Sequence, residues 1–294
     1  MSRIILSIVA FFILSQIIGI YAGIVVLNDL HFNPYVNMLV VTTDSANPAN
    51  AIFFMLYVVL GAFVMIVLIR KFMLNLIFRV MEFILLSTAS SIIFYSFLRI
   101  FYCIVNSIIY NADKFLQICP GYEISMAGGI FLGLLLASIK LLNPAFKNLA
   151  AILATGGVGV IFGISLTPLP ALIFLVLLSL YDYIAVFKTK HMIEFAEFIV
   201  KKDLAFTVTS KAVVEGKERR LDLGTGDLIA PIILEVSTLA YLPGATLFVF
   251  LGAVFSLIVF LLLVWKRKVV LPALPPLVFG MLLFMVIGKL LGFY

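Results

Sequence analysis

Histidine and cysteine are scarce in this chain, with two of each among 294 residues. Cys103 and Cys119 have no metal-type spacing, and His31 and His191 fall in loops with no serine or cysteine beside them. These gaps exclude the common zinc frameworks and leave no Ser-His or Cys-His pair for nucleophilic catalysis. Neither a metal nor another cofactor is expected, and the two cysteines can pair or stay apart without deciding the reading. Charge is scarce too, at 12% of residues against roughly 25% in soluble domains. Apolar residues make up 64%, well above the usual range of about 45–50%, which implies a polytopic membrane protein. The net charge of +6 needs no nucleic acid to explain it, because the basic residues collect in loops. The first apolar run, 4–27, is longer than the roughly 7–15 residue core of a signal peptide and has no A-x-A-type site before Asn28, so it reads as a retained span.

A bilayer crossing takes about 20 mostly apolar residues. That rule gives nine helices at about 4–27, 51–69, 73–98, 124–142, 147–166, 169–188, 221–242, 244–265 and 272–293, and hence an all-α polytopic fold. Counts of eight or ten stay open, because the run 100–109 either extends the third helix or lies at the interface. We read 1–294 as a single membrane-embedded domain, with a scaffold of five spans over 1–166 and four further spans over 167–294 that include a loop at 189–220. Gly129 and Gly133, followed by Gly156, Gly157, Gly159 and Gly163, form small-residue patterns that let helices approach closely.

Loop charge sets the orientation. Arg3, Arg70, Lys71, Lys140, Lys147, the basic cluster from Lys188 to Arg220, and Lys266, Arg267 and Lys268 fall on one side, whereas Arg99 and Lys114 fall on the other. The N-terminus is expected in the cytoplasm and the C-terminus outside, in the cell membrane. Within the loop, 191–202 has helical spacing and is expected to continue the sixth helix along the surface. The stretch 204–214, LAFTVTSKAVV, alternates and is β-branched, with Glu215-Gly216-Lys217 as a turn; it predicts a short β-hairpin before the seventh span. Its edge can accept an extended peptide, or the hairpin can be a connector only.

Two carboxylates lie inside apolar spans: Asp182 in PALIFLVLLSLYDYIAVFKTK, and Asp227 in LDLGTGDLIAPIILEVSTLA. An aspartate at a helix centre costs roughly 2.5–3.5 kcal/mol on insertion scales, so each needs a reason. Asp182 is six residues before Lys188 and Asp227 seven residues after Arg220, which at 1.5 Å per residue puts both roughly 9–10 Å below the same boundary. Consecutive antiparallel helices then bring the two together, and close carboxylates in a low-dielectric site share one proton. One can act as base on a water while the other acts as acid on a carbonyl oxygen. Gly224 and Gly226 bare the backbone beside Asp227, and Pro231 cannot donate to the Asp227 carbonyl, so the helix is expected to be distorted there. The alternative is a kinked packing helix with a hydrogen-bonded aspartate. Arg79 and Glu82, three apart, are expected to pair on one helix face, Lys289 to reach outward to the interface, and Glu235, eight residues beyond Asp227, to find an unnamed polar partner.

Tyr181-Asp182, Gly224-Thr225-Gly226-Asp227 and Pro272-Ala273-Leu274 resemble the YD, GxGD and PAL signatures of the presenilin/signal peptide peptidase family of intramembrane aspartyl proteases. A GxGD alone is weakly specific, and prepilin peptidases carry one; three motifs in order, in the sixth, seventh and ninth spans, are specific. YDYIAVFKTKHM and GDLIAP look like archaeal or bacterial members, and Gly-Asp-x-x-x-Pro at Asp227 and Pro231 is similar to signal peptide peptidase, whereas the charge-derived topology is presenilin-like. The resemblance spans the chain, with its motifs confined to about 169–280. It implies an aspartic endopeptidase cleaving within transmembrane helices, with Asp182 and Asp227 as the dyad and Tyr181, Gly224, Gly226, Pro272, Ala273 and Leu274 shaping the site. Without it, Pro272, Pro275 and Pro276 read as the start of a helix, and Tyr181 as an interior tyrosine. Substrates would be single-span membrane proteins or signal peptides in the bilayer; a homo-oligomer is compatible with this, and no partner subunit is required. Rival readings of the same carboxylates are an ion-leak channel or proton-coupled transporter and a non-catalytic chaperone that binds single spans. No inverted repeat of broken helices supports transport.

Overall fold

In a computed structural model of the chain, the described residues are 2–30, 34–42, 44–71, 75–110, 121–188, 204–214, 217–267 and 271–294. Among them are nine long helices: α1 (Ser2–Leu30), α2 (Ala49–Lys71), α3 (Asn75–Tyr110), α4 (Tyr122–Leu142), α5 (Lys147–Ser165), α6 (Pro168–Phe187), α7 (Thr225–Tyr241), α8 (Pro243–Arg267) and α9 (Leu274–Leu290). Single turns at Pro34–Asn37 and Pro144–Phe146 complete the helical set. Seven of the nine are long and apolar enough to cross a membrane; α7 and α9, at 17 residues each, are shorter. Of the two readings of 100–109, extension of the third helix is the one found, because α3 runs unbroken for 36 residues. The expected surface helix over 191–202 lies outside the described residues.

Helix α7 is the axle of the bundle. It packs against α1, α5, α6, α8 and α9, and every residue from Ala230 to Thr238 is buried. Glycines on two neighbours grip it at matching levels. A Cβ on Gly19 of α1 or Gly159 of α5 would stand 2.6 or 2.4 Å from Ile232, and one on Gly23 or Gly163 would stand 2.8 or 2.6 Å from Val236. Both helices thus use a four-residue glycine spacing to bring their backbones against one branched side chain per turn of α7. The close packing expected of α4 and α5 is found, and Gly19 and Gly23 add an equivalent stripe on α1. At Gly157 a Cβ would come within 1.8 Å of the Ala89 carbonyl oxygen, so only glycine permits the α3–α5 contact there.

The hairpin exists, with shifted bounds. Strands β1 (Thr207–Val214) and β2 (Lys217–Gly224) pair antiparallel, from Thr207 opposite Gly224 to Val214 opposite Lys217. Strand β1 starts three residues late because Leu204 and Ala205 are buried and the Ala205 N–H donates to Glu82 Oε1 at 2.5 Å. The seventh helix likewise starts at Thr225 rather than 221, since 221–224 is strand. Leu221 and Leu223 alternate with Asp222 in KERRLDLG, a period-two pattern that the apolar run behind it masks. The 1.5 Å per residue used to place Asp227 therefore does not hold over 221–224, where a strand advances about 3.3 Å per residue.

Two buried ion pairs brace the first half. Arg99, expected in a loop, is fully buried, donates from Nε to Asp29 at 3.0 Å and lies 4.0 Å over the Tyr122 ring, and the Tyr95 hydroxyl bonds the same carboxylate. Glu82 does not pair with Arg79. Its carboxylate holds Lys140 of α4, another residue expected in a loop; the α3–α4 contact buries both and makes the helix-to-helix partner the nearer one.

Candidate active site

Both intramembrane aspartates are held by helix N-termini. Asp227 is the third residue of α7, and its carboxyl accepts a hydrogen bond from the backbone of Gly224, the residue that caps that helix. This is the reciprocal half of a capping box, in which the third residue returns to the cap N–H. It explains why an acidic side chain is tolerated at this point: a helix start offers unpaired donors and the positive end of the dipole.

Asp182, five residues before the end of α6, takes its donor from another helix. Its carboxyl is hydrogen-bonded by the backbone of Leu274, the first residue of α9. Pro275 and Pro276 follow and have no N–H to offer, so the only first-turn donor over 274–276 is Leu274. These prolines open a helix, as their position in the sequence suggests. Pro272, Ala273 and Leu274 are buried, which fixes that donor in place.

The two carboxylates are within electrostatic reach of each other, and both are half-buried. Tyr181 is half-buried and within electrostatic reach of Asp182. Gly224 has φ −64° and ψ 143°, a conformation open to any residue, so its backbone does not require glycine; a Cβ there would sit 3.3 Å from Asp227 Oδ2. Gly226 is exposed, and a Cβ there meets nothing within 4 Å. Space is therefore open on the side of α7 next to Asp227. Pro231 is inside α7, as its position in the sequence requires, and the helix continues through it. Gln16 of α1 donates to the neighbouring Leu228 carbonyl at 3.2 Å; one amide inside the first apolar run was its only signal in the sequence.

Glu235 does not find the polar partner expected for it: it is fully buried, and neither of its carboxyl oxygens has a hydrogen-bond partner among the described residues. No cluster of three or more His, Cys, Asp or Glu side chains suited to a metal occurs among the described residues.

A family model described as "Signal-peptide peptidase, presenilin aspartyl protease" matches residues 9–293. The chain belongs to this family of aspartyl proteases. Among solved structures it is similar to a presenilin-family intramembrane aspartate protease in two crystal forms. In space group C222 the identity is 26% and the TM-score 0.62, with 98% of this chain and 99% of that one covered. In P2 the identity is 27% and the TM-score 0.62, with 98% of each chain covered. No curated protein matches. The chain is thus an intramembrane aspartic endopeptidase, and neither comparison supports a channel.

Proposed function

We infer that Asp182 and Asp227 are the catalytic dyad of this intramembrane protease. The observation that carries the reading is that two carboxylates from different helices interact across an open face with no cation between them among the described residues. The ionised aspartate takes a proton from water as the water oxygen bonds the scissile carbonyl carbon. The protonated aspartate gives its proton to the carbonyl oxygen, forming a tetrahedral diol. Collapse of the diol breaks the C–N bond: one hydroxyl proton passes to the aspartate that is now ionised, and the departing amine nitrogen takes its proton from the aspartate that deprotonated the water, so the dyad again holds one proton. Leu274 and Gly224 orient the two carboxyls, and Tyr181, Pro272 and Ala273 shape the surroundings. The scaffold of 1–166 and the catalytic spans of 167–294 act as one domain. The N-terminus lies in the cytoplasm and the C-terminus outside the cell membrane.

A transmembrane helix hides its carbonyls in its own hydrogen bonds, so the substrate, a single-span protein or signal peptide, must be unwound before cleavage. The outer edge of β2 at Asp222 supports how it is held. Both backbone groups of Thr209 turn away from β2, bonding Asn148 instead. In an antiparallel pair such residues alternate with those that face the partner, so Arg220, Asp222 and Gly224 point their backbone groups to the other, outer edge. That edge runs directly into Asp227, and an extended substrate added to it passes the dyad.

The dyad is tested by cleavage of a fluorescent single-span peptide by the purified chain in lipid vesicles, with Asp182→Asn and Asp227→Asn alongside. Activity in either variant above about a thousandth of the parent rate, the scale of general acid–base catalysis, would overturn the assignment. The strand edge is tested by Asp222→Pro against Asp222→Ala. Both lose the side chain but only proline loses the outward N–H, a change tolerated on an outer edge. Cleavage at least tenfold slower with proline than with alanine is expected; equal rates would remove strand addition. Val208→Pro, the obvious change on sequence grounds, is a poorer probe, since Val208 is fully buried and faces β2 across the ladder.

A further inference from the structure

Pro231 has no N–H to return to the Asp227 carbonyl, so the turn that carries the aspartate is joined to the rest of α7 by one helical bond fewer. Helix α1 meets α7 on both sides of that proline. On one side Gln16 donates from Nε2 to the Leu228 carbonyl at 3.2 Å, and on the other the bare backbone of Gly19 seats Ile232. Residues 16 and 19 of α1, and 228 and 232 of α7, are each about one helical turn apart. At the start of the same turn of α7, Thr225 donates its N–H and its hydroxyl to the Phe206 carbonyl at 3.0 and 3.1 Å. Asp227 therefore stands between an anchor on the hairpin and an anchor on Gln16.

Glutamine is a demanding residue to keep at this point. Gln16 is fully buried, and its Nε2 also donates to Ser15 Oγ at 3.2 Å, while the Ser15 hydroxyl donates to the Phe12 carbonyl at 2.8 Å. Both neighbours thus face the amide as acceptors, so its NH2 group must turn to them, and Oε1 has no partner among the described residues. A residue that only filled space would be apolar and would leave no buried acceptor unmatched. What the amide adds is the bond to α7.

We propose that Gln16 is a positioning residue whose bond splints α7 across Pro231 and thereby sets the distance of the Asp227 carboxyl from that of Asp182. This rests on the dyad reading above. Asp182 is held separately, by α6 and the backbone of Leu274, so a tilt of the first turn of α7 changes the separation of the two carboxyls. Proton transfer needs hydrogen-bond reach, and a misplacement of about 1 Å can cost on the order of a hundredfold in rate. Loss of the splint therefore acts on turnover rather than on substrate binding.

The test is steady-state cleavage of one fluorescent single-span peptide in phosphatidylcholine vesicles by the full chain as parent, Gln16→Met, Pro231→Ala and the two combined. Methionine keeps the length of Gln16 without its donor, and alanine at 231 restores the N–H that the Asp227 carbonyl lacks. Gln16→Met is expected to lower kcat about tenfold or more, with KM within about twofold of the parent. In the Pro231→Ala background the same change should lower kcat by less than about threefold, because the helix no longer needs the splint. A residue that merely stabilises the fold would give the same loss in both backgrounds. Equal losses, or a raised KM with kcat unchanged, would overturn the proposal. If Gln16→Met does not fold, Gln16→Asn, with its amide one methylene shorter, carries the same comparison. If Asp182→Asn and Asp227→Asn are inactive while the Gln16 variants turn over at the parent rate, the dyad stands and only the role of Gln16 fails; activity in the aspartate variants removes both.

Discussion

The acidic side chains buried in the first four helices and those in α6 and α7 are treated differently by the same fold. Asp29 is matched by Arg99 with Tyr95 in support, and Glu82 is matched by Lys140 and the Ala205 N–H. Asp182 and Asp227 receive backbone donors, and Glu235 has no bond at all among the described residues. A carboxylate locked to a cation works as a brace, because removing either partner leaves an uncompensated buried charge. A carboxylate held only by backbone N–H groups is oriented but not neutralised, and remains free to take and give a proton. On the reading that Asp182 and Asp227 are the dyad, the placement of cations separates the braces from the chemistry, and Glu235 is the unmatched acid to which that reading gives no role, although all five groups are acids within helices.

Breaking a brace is expected to have the largest effect on stability. Arg99→Met leaves Asp29 buried and unpaired and should cost about 3–5 kcal/mol, read as a lowered unfolding midpoint in detergent. Adding Asp29→Asn to that variant should recover most of the loss, and a double variant no better than the single would deny that charge is the cause. Next comes the backbone contact that carries no charge: Gly157→Ala must push Ala89 and α3 away from α5, at about 1–3 kcal/mol for overpacking. Unchanged stability there would mean the interface is looser than its geometry. Smallest on stability, and sharpest for the site, is Gly226→Ala. Its Cβ meets open space, and the midpoint should stay within about 0.5 kcal/mol of the parent, as for a surface change, whereas cleavage should fall because the added methyl stands where the substrate passes. Cleavage at the parent rate would place the substrate path elsewhere.

The contrast explains what the sequence made legible. The apolar runs were long enough to reveal nine helices, and the isolated carboxylates of Asp182 and Asp227 stood out because nothing near them in sequence neutralises them. The braces were invisible for the complementary reason. Lys140 and Arg99 sit at the ends of apolar runs, where a loop is the default expectation, and their partners are 58 and 70 residues away. Arg79, three residues from Glu82, looked the better partner because helical spacing is readable and helix-to-helix contact is not. Strand β2 was hidden by its own content: Leu221 and Leu223 look like the start of the apolar run that follows, and only pairing with β1 gives them a period of two. Asn148 and Gln16 act through the backbone of distant elements, a role to which their side chains give no local clue.

The central claim is that the two unneutralised aspartates act as one catalytic unit. The most direct measurement is the rate of single-span peptide cleavage in lipid by the parent, Asp182→Asn, Asp227→Asn and the double variant. Groups that act as a unit are strongly non-additive, so each single change should lose as much activity as the double, about a thousandfold or more. A single variant that keeps substantial activity, with the double losing the sum of two modest effects, would contradict a shared role and leave one of the carboxylates as a structural group.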